Sequence, residues 1–226
     1  MKHLLISMLV SSAALLTGCV MSPSQPQVDV SAYKAHMPHS ILILPPINNS
    51  PDVKATYSYW STATVPVAEA GYYVFPLSVV DTMFKENGVT NGADAQSISP
   101  QKLREIFGAD AALYLQVNEY GTKYQVLQSV STVAVKAQLI DLHTGETLWT
   151  GSKRLEQSSN EGSNNGLLGA MVSALVTQIA SSLKDYAYPL AQNTSLQLFT
   201  PNNQRVGQGL LYGPRAPKYQ HDGQTQ

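Results

Sequence analysis

Val133-Ala134-Val135-Lys136-Ala137-Gln138-Leu139-Ile140-Asp141-Leu142-His143-Thr144-Gly145-Glu146-Thr147-Leu148-Trp149 is the stretch on which the fold turns. Val133, Val135, Ala137 and Leu139 alternate with Ala134, Lys136 and Gln138, the period of a strand with one buried face. Asp141 to Glu146 supplies a Gly-containing turn, and Thr147 to Arg154 returns. The whole interval from Val126 to Leu155 therefore predicts an antiparallel β-hairpin.

Upstream, Ser40-Ile41-Leu42-Ile43-Leu44-Pro45-Pro46 is a wholly apolar run closed by two prolines. Such a run suits a central strand covered on both faces, ending where proline cannot donate to a ladder. Asn48 to Asp52 reads as a loop. Thr56 to Ala70 predicts a helix entered near Ser61 to Pro66, and Tyr72 to Pro76 a second short strand. Leu77 to Asn87 spaces Val79, Val80, Met83 and Phe84 as a helix does, with Gly88 in the C′ place. Ser99 caps a further helix, Pro100 takes its first position, Leu103, Ile106 and Phe107 form its inner face, and Gly108 closes it. Ala111 to Val117 is a strand ending in Asn118 to Gly121. Gly166 to Leu183 spaces Leu168, Met171, Val172, Leu175, Val176 and Ile179 as a last helix. Pro189 and the polar run from Gln192 leave the domain, and only Leu210-Leu211-Tyr212 in the tail is apolar enough to dock back. Strands alternating with helices and then a hairpin predict an α/β (α+β) fold: one three-layer domain, a mixed sheet with helices packed on it.

The chain opens differently. Lys2 and His3 lead into the apolar run Leu4 to Leu16, which closes on Leu16-Thr17-Gly18-Cys19. A basic head, a short apolar core and small residues before a cleavage point make a secretory signal. The run is shorter than the ~20 residues a membrane-spanning helix needs. The tetrad resembles a bacterial lipobox, which implies cleavage before Cys19, a diacylglyceryl thioether on its sulfur and N-acylation. Each buried methylene contributes ~0.8 kcal/mol, and two or more chains hold stably. Val20 and Met21 follow with no aspartate, which by similarity to Gram-negative lipoproteins points to the inner leaflet of the outer membrane, facing the periplasm. The expected organisation is a signal at 1–18, a lipidated cysteine and extended Pro-containing tether at 19–39, a domain at 40–190 and a Gly/Pro-rich polar tail at 191–226.

Composition narrows the function classes. Charged residues are 13% of the 226, about half the usual ~25%, and the net charge is −1. No basic stripe marks a nucleic-acid surface. One cysteine excludes an intrachain disulfide framework, while a chain of this length can bury a core without one.

The order of elements, the hairpin Leu139 to Trp149 with its Asp-x-x-Thr-Gly turn, and a Gly-Ala-Asp turn into a strand are similar to the N-terminal domain of the Tol-system protein TolB and to the curli-secretion lipoprotein CsgG. With the lipobox and Gly209-Leu210-Leu211-Tyr212-Gly213-Pro214, the chain most resembles an uncharacterised bacterial lipoprotein family related to both. The resemblance covers most of residues 40–190. It implies an envelope protein that works through protein contacts, and it supplies no catalytic residues and no cofactor.

Chemistry-bearing motifs are likewise missing from the sequence. There is no G-x-S-x-G elbow, Walker loop or H-E-x-x-H. His36 and His39 sit in the tether and His143 in a turn, without further ligands for a metal. Asp81, Glu86, Asp94, Glu105 and Asp110 are scattered at helix ends and loops, where carboxylates cap or solvate. The small stripe Gly162, Gly166, Ala170 and Ala174 reads either as close helix-on-sheet packing or as close backbone approach in a membrane or an oligomer. Tyr57-Ser58-Tyr59-Trp60 and Tyr72-Tyr73 read equally as core or as a recognition patch. Three functions compete: a non-enzymatic lipoprotein binding an envelope protein, a subunit of a CsgG-like secretion complex, and a periplasmic hydrolase. A pore needs added spanning strands of ~9–11 residues, which the interval Glu119 to Ser131 is too short to supply. A hydrolase needs converging Ser, His and Asp or paired carboxylates.

Overall fold

The computed structural model describes residues 28–124, 129–158, 187–221 and 224. The signal, Leu16, Thr17, Gly18, Cys19 and the Gly166 to Leu183 helix with its small-residue stripe lie outside the described residues.

The elements run α1 (Ser31–Ala35), β1 (Ser40–Ile43), β2 (Ile47–Asn48), α2 (Ala55–Glu69), β3 (Tyr73–Val74), α3 (Leu77–Glu86), α4 (Gly92–Ser97), α5 (Pro100–Phe107), β4 (Ala111–Tyr124), β5 (Ser129–Asp141), β6 (Thr147–Ser158) and α6 (Ala187–Phe199). They form one mixed sheet of six strands in the order β3-β1-β4-β5-β6, with β2 also paired to β4. β1 pairs in parallel with β3 and β4, whereas β4, β5 and β6 form an antiparallel meander. The predicted hairpin is β5–β6, with Leu139 opposite Trp149.

The two crossovers, β1–α2–β3 and β3–α3–α4–α5–β4, run in opposite directions from β1. Right-handed connections put α2 on one face and α3 to α5 on the other. The parallel half is thus sandwiched, and Ile41, Leu42, Ile43, Leu113 and Leu115 are fully buried. Among the described residues the antiparallel half is covered on one face by α6, which also packs on α2, and α1 meets β6. Its other face carries Lys136, Gln138, Thr150, Ser152, Arg154 and Glu156, all exposed.

Local signals hold well where they are strong. Ser99 Oγ accepts from Lys102 N–H at the head of α5, and Gly108 ends it at φ 67°, a left-handed value that glycine adopts freely. Several expectations give way. α2 begins at Ala55, not near Ser61, and carries Pro66 inside it. Asn48, expected in a loop, lies in β2. α4, capped by the Asn91 side chain on Asp94 N–H, has too few apolar positions to show a period. β4 does not stop at Asn118; after a bulge between Val117 and Glu119 it continues to Tyr124, because β5 offers partners that far. Among the described residues the interval Glu119 to Ser131 adds no further hairpin; it lengthens β4 and β5.

Both flanks fold onto the sheet. Residues 28–39, expected as extended tether, contain α1, and its Tyr33 is fully buried. The Tyr33 hydroxyl lies 2.9 Å from that of Tyr72, and Tyr72 Oη donates to Leu211 O at 2.7 Å. The polar run from Gln192 is helical through Phe199 and buries Thr194, Ser195, Leu198 and Phe199. Thr194 Oγ1 donates to Leu190 O, and Thr62 and Ser195 hydroxyls meet at 2.7 Å between α2 and α6, so these polar side chains are satisfied in place. Leu210 and Leu211 are buried, forming a strap under the sheet.

Candidate interaction surface

At the end of the sheet where β1 and β4 begin, several polar groups meet. Ser40 Oγ donates to Asp110 Oδ2 at 2.9 Å, and the N–H groups of His39 and Ser40 donate to the same oxygen at 2.9 and 3.0 Å. Ser40 Oγ in turn accepts from Asp110 N–H. His143 Nε2 stands 3.8 Å from Asp110 Oδ1, and Arg104 Nε donates to His143 Nε2 at 3.2 Å. Serine, aspartate and histidine do converge here, yet the carboxylate is in the middle. A nucleophilic serine needs the imidazole beside its hydroxyl and the carboxylate behind the imidazole. Here the serine proton faces a carboxylate, and the arrangement clamps β1 to β4.

Partial burial pushes the Asp110 carboxyl up, but the hydrogen bonds from His39 and Ser40 together outweigh it and hold it below the usual carboxylate range. A carboxylate lowered in this way adds stability that is full above the ordinary value near ~3.9 and is lost as pH falls through the folded value. Asp110→Asn is therefore expected to cost about 1 kcal/mol at pH 6, discounted for the exposed third of the side chain, with the difference closing as pH falls through the lowered folded value. Melting curves of both proteins across pH 2–7 check this; a difference that widens in acid would contradict it.

At the opposite end, the prolines leave a gap in the ladder. β1 pairs with β4 through Ile43 and Leu113, and pairing resumes at Ile47 and Gln116. Gln96 Nε2, from α4, donates to both Pro45 O and Leu115 O at 2.8 Å and fills that gap. Gly92 packs its Cα against the Pro46 carbonyl, where a side chain would not fit. Beside it lies a recess of about 310 Å³ bounded by Pro46, Ile47, Val53, Phe84, Val89 and Asn91. On its rim Tyr57 Oη donates to Asp81 at 3.2 Å, and Lys85 pairs with Asp81 at 2.7 Å. The recess sits outside the carboxyl ends of β1 and β2, where the two crossovers diverge, the usual place for a crevice in an open sheet.

The third feature is an exposed apolar face on the α2–α6 side. Val53 is 86% exposed, Val65 56% and Tyr57 50%. Ser61 Oγ and Tyr188 Oη meet at 3.4 Å, which sets the two helices side by side at the surface. The aromatic clusters divide: Tyr59, Trp60 and Tyr72 are core, while Tyr57 and Tyr73 face solvent. Helical periodicity could have separated Tyr57 from Trp60, but not said what lies outside Tyr57.

The remaining site expectations are quickly placed. Among the described residues no group of His, Cys, Asp and Glu could hold a metal ion, and no helix is long and apolar enough to cross a membrane. His36 stands 3.7 Å from Glu146, and Asp94 serves the α4 cap. Asp81 and Glu105 pair with Lys85 and Lys102 at 2.7 and 3.0 Å. The distal outer face carries a bridge that no spacing rule announced: Arg154 pairs with two carboxylates, Glu119 at 3.0 Å and Glu156 at 2.7 Å.

These features describe a mixed α/β domain whose notable parts are surfaces and a shallow recess, with no catalytic constellation among the described residues. The chain belongs to the "Putative lipoprotein GNA1162-like" family, whose family model matches residues 28–215. A relative from Neisseria meningitidis serogroup B, "Putative lipoprotein NMB1124/NMB1162", is 45% identical over 215 residues, 95% of this chain and 97% of its own length. The crystal structure of lipoprotein GNA1162 from Neisseria meningitidis is 54% identical, with a TM-score of 0.54 over 64% of this chain and all of that one.

Proposed function

We propose that the chain is a periplasmic lipoprotein, held at the inner leaflet of the outer membrane by acylated Cys19, that acts through contacts with another envelope protein and not as an enzyme. The observation that carries this reading is the tetrad Leu16-Thr17-Gly18-Cys19, ending in the chain's single cysteine just before a domain of a lipoprotein family. The order of its elements supports a relation to the TolB N-terminal domain and CsgG. The α2–α6 face is the surface best suited to a protein partner, because exposed Val and Tyr side chains on rigid helices form contacts at low entropic cost. A CsgG-like pore subunit is the alternative. The outer face of the distal meander speaks against it, since Glu119, Lys123, Arg154 and Glu156 would face lipid at about 2–4 kcal/mol for each cation.

Intact-mass measurement of the membrane-extracted protein is expected to show a mature start at Cys19 with the added acyl mass. Cys19→Ala is expected to move the protein from the membrane to the soluble periplasmic fraction; retention on the membrane would remove the lipid as tether. A photo-crosslinker at Tyr57 or Val65 is expected to capture a defined envelope protein that one at Gln138, on the open sheet face, does not. Equal capture from both faces would remove α2 as the contact.

A further inference from the structure

The strap carries an uneven charge. Between Thr200 and His221 stand Arg205, Arg215 and Lys218 and no carboxylate, in a chain whose net charge is −1. As it leaves α6 the strap borders an open recess of about 730 Å³, ringed by Lys153 of β6 with Gln197, Asn202, Gln208, Tyr212 and Lys218. Among the described residues two ammonium groups line it and no carboxylate does; Asp222, the next acidic residue in the chain, lies outside them. Among the described residues neither lysine has an ion-pair partner, and Lys218 leans over the Tyr212 ring at 5.6 Å. Such a recess is built for an anion with several acceptor oxygens, lysine as point charge and the amides as hydrogen-bond donors.

Its place relative to the anchor narrows the choice of anion. Val28 packs against Gly207, so closely that a Cβ there would come within 2.7 Å of Val28 Cβ, and Gln208 beside it lines the recess. Nine peptide steps separate Cys19 from Val28, and whatever path they take they span at most about 30 Å. A lipid on Cys19 therefore keeps Val28, and the strap it packs against, within about 30 Å of the headgroups of its own bilayer.

We propose that the Lys153–Lys218 recess takes the phosphate of an anionic phospholipid, so that the domain stands strap-first on the membrane that holds its anchor. The inference rests on lipidation of Cys19. Near an anionic surface each lysine strengthens attraction about fivefold at low salt, so the pair supplies about thirtyfold, falling within a Debye length. A domain docked this way keeps α2 and the recess at the carboxyl ends of β1 and β2 in a fixed orientation toward whatever meets them from the periplasm.

The test uses the full-length lipidated protein in vesicles, with amide exchange read over residues 197–218. Exchange is expected to slow severalfold on vesicles with 30% phosphatidylglycerol relative to pure phosphatidylcholine. The slowing is expected to vanish in the Lys153→Gln/Lys218→Gln double variant and in high salt, to persist in Lys153→Arg/Lys218→Arg, and to persist in Lys54→Gln/Lys102→Gln. Equal exchange on both vesicles, with the protein still anchored, would overturn the docking and leave the lipid anchor intact. Loss in the Lys54/Lys102 control would reduce the effect to net charge and overturn the site. Equal slowing on neutral vesicles by millimolar inorganic phosphate would reassign the recess to a free anion and overturn the headgroup. A bare thiol at Cys19 would remove the premise instead, and is read separately by intact mass.

Discussion

Gly213→Val is expected to lower the melting temperature by about 10–20 °C and to unlock both flanks of the domain together. The backbone at Gly213 lies so near the sheet's end that a Cβ would stand 2.7 Å from Gly71 O and from Tyr72 Cδ1. Gly213 N–H donates to Ala70 O at 2.8 Å and Arg215 N–H to Gly71 O at 3.0 Å, so retreat breaks two bonds as well. Gly71 itself sits at φ 101°, a value that side-chain-bearing residues rarely adopt, and cannot yield in exchange. Undocking the strap exposes Leu210 and Leu211, each worth about 1.5–3 kcal/mol of burial. For a domain of this size each kcal/mol moves the melting point by about 2–4 °C. The specific signature is at a distance. Because Leu211 O holds Tyr72 Oη and Tyr72 meets Tyr33, amide protection of α1 should fall in step with that of the strap. If α1 stayed protected while the strap opened, the two flanks would not be coupled in this way.

Trp60→Ala should have a comparable cost, about 3–5 kcal/mol. The indole is 2% exposed, at the centre of α2, and its Nε1 donates to Ile43 O at 3.0 Å, just before the prolines that end β1. Its removal leaves a cavity between helix and sheet and an unmet carbonyl at a strand end that already lacks ladder donors. Trp60→Phe separates the terms: it keeps most of the ring and loses the hydrogen bond, and is expected to cost about 1–3 kcal/mol. Chemical denaturation of the three proteins measures both numbers. A Phe variant as unstable as the Ala variant would show that the carbonyl, not the cavity, dominates.

These two residues also show how differently the sequence speaks. Trp60 is legible as a large apolar side chain on a helix, though its indole partner is not. Gly213 is legible only as one glycine in a Gly/Pro-rich tail. Its reason for being glycine lies at Gly71, far away in the chain and close in space. Gln96 is similar: nothing local says that its amide will fill the gap left by Pro45 and Pro46 between β1 and β4. The candidate surface fared the same way. Tyr57 and Trp60 belong to one aromatic run, and only the packing of α2 against the sheet and beside α3 decides that one is rim and the other core.

What the sequence determined alone is whatever is written in a short window. The alternation from Val133 to Leu139, the Ser99–Pro100 start and Gly108 stop of α5 and the proline-ended apolar strand each declare themselves through neighbours a few residues away. Period, capping and backbone freedom act over that range. The tertiary structure alone decided that β4 runs on to Tyr124, that α1 and the polar run from Gln192 to Phe199 pack into the domain, and that Lys153 and Lys218 share one recess. Those outcomes depend on which surfaces remain to be covered once the sheet has formed, and burial is settled by partners distant in sequence.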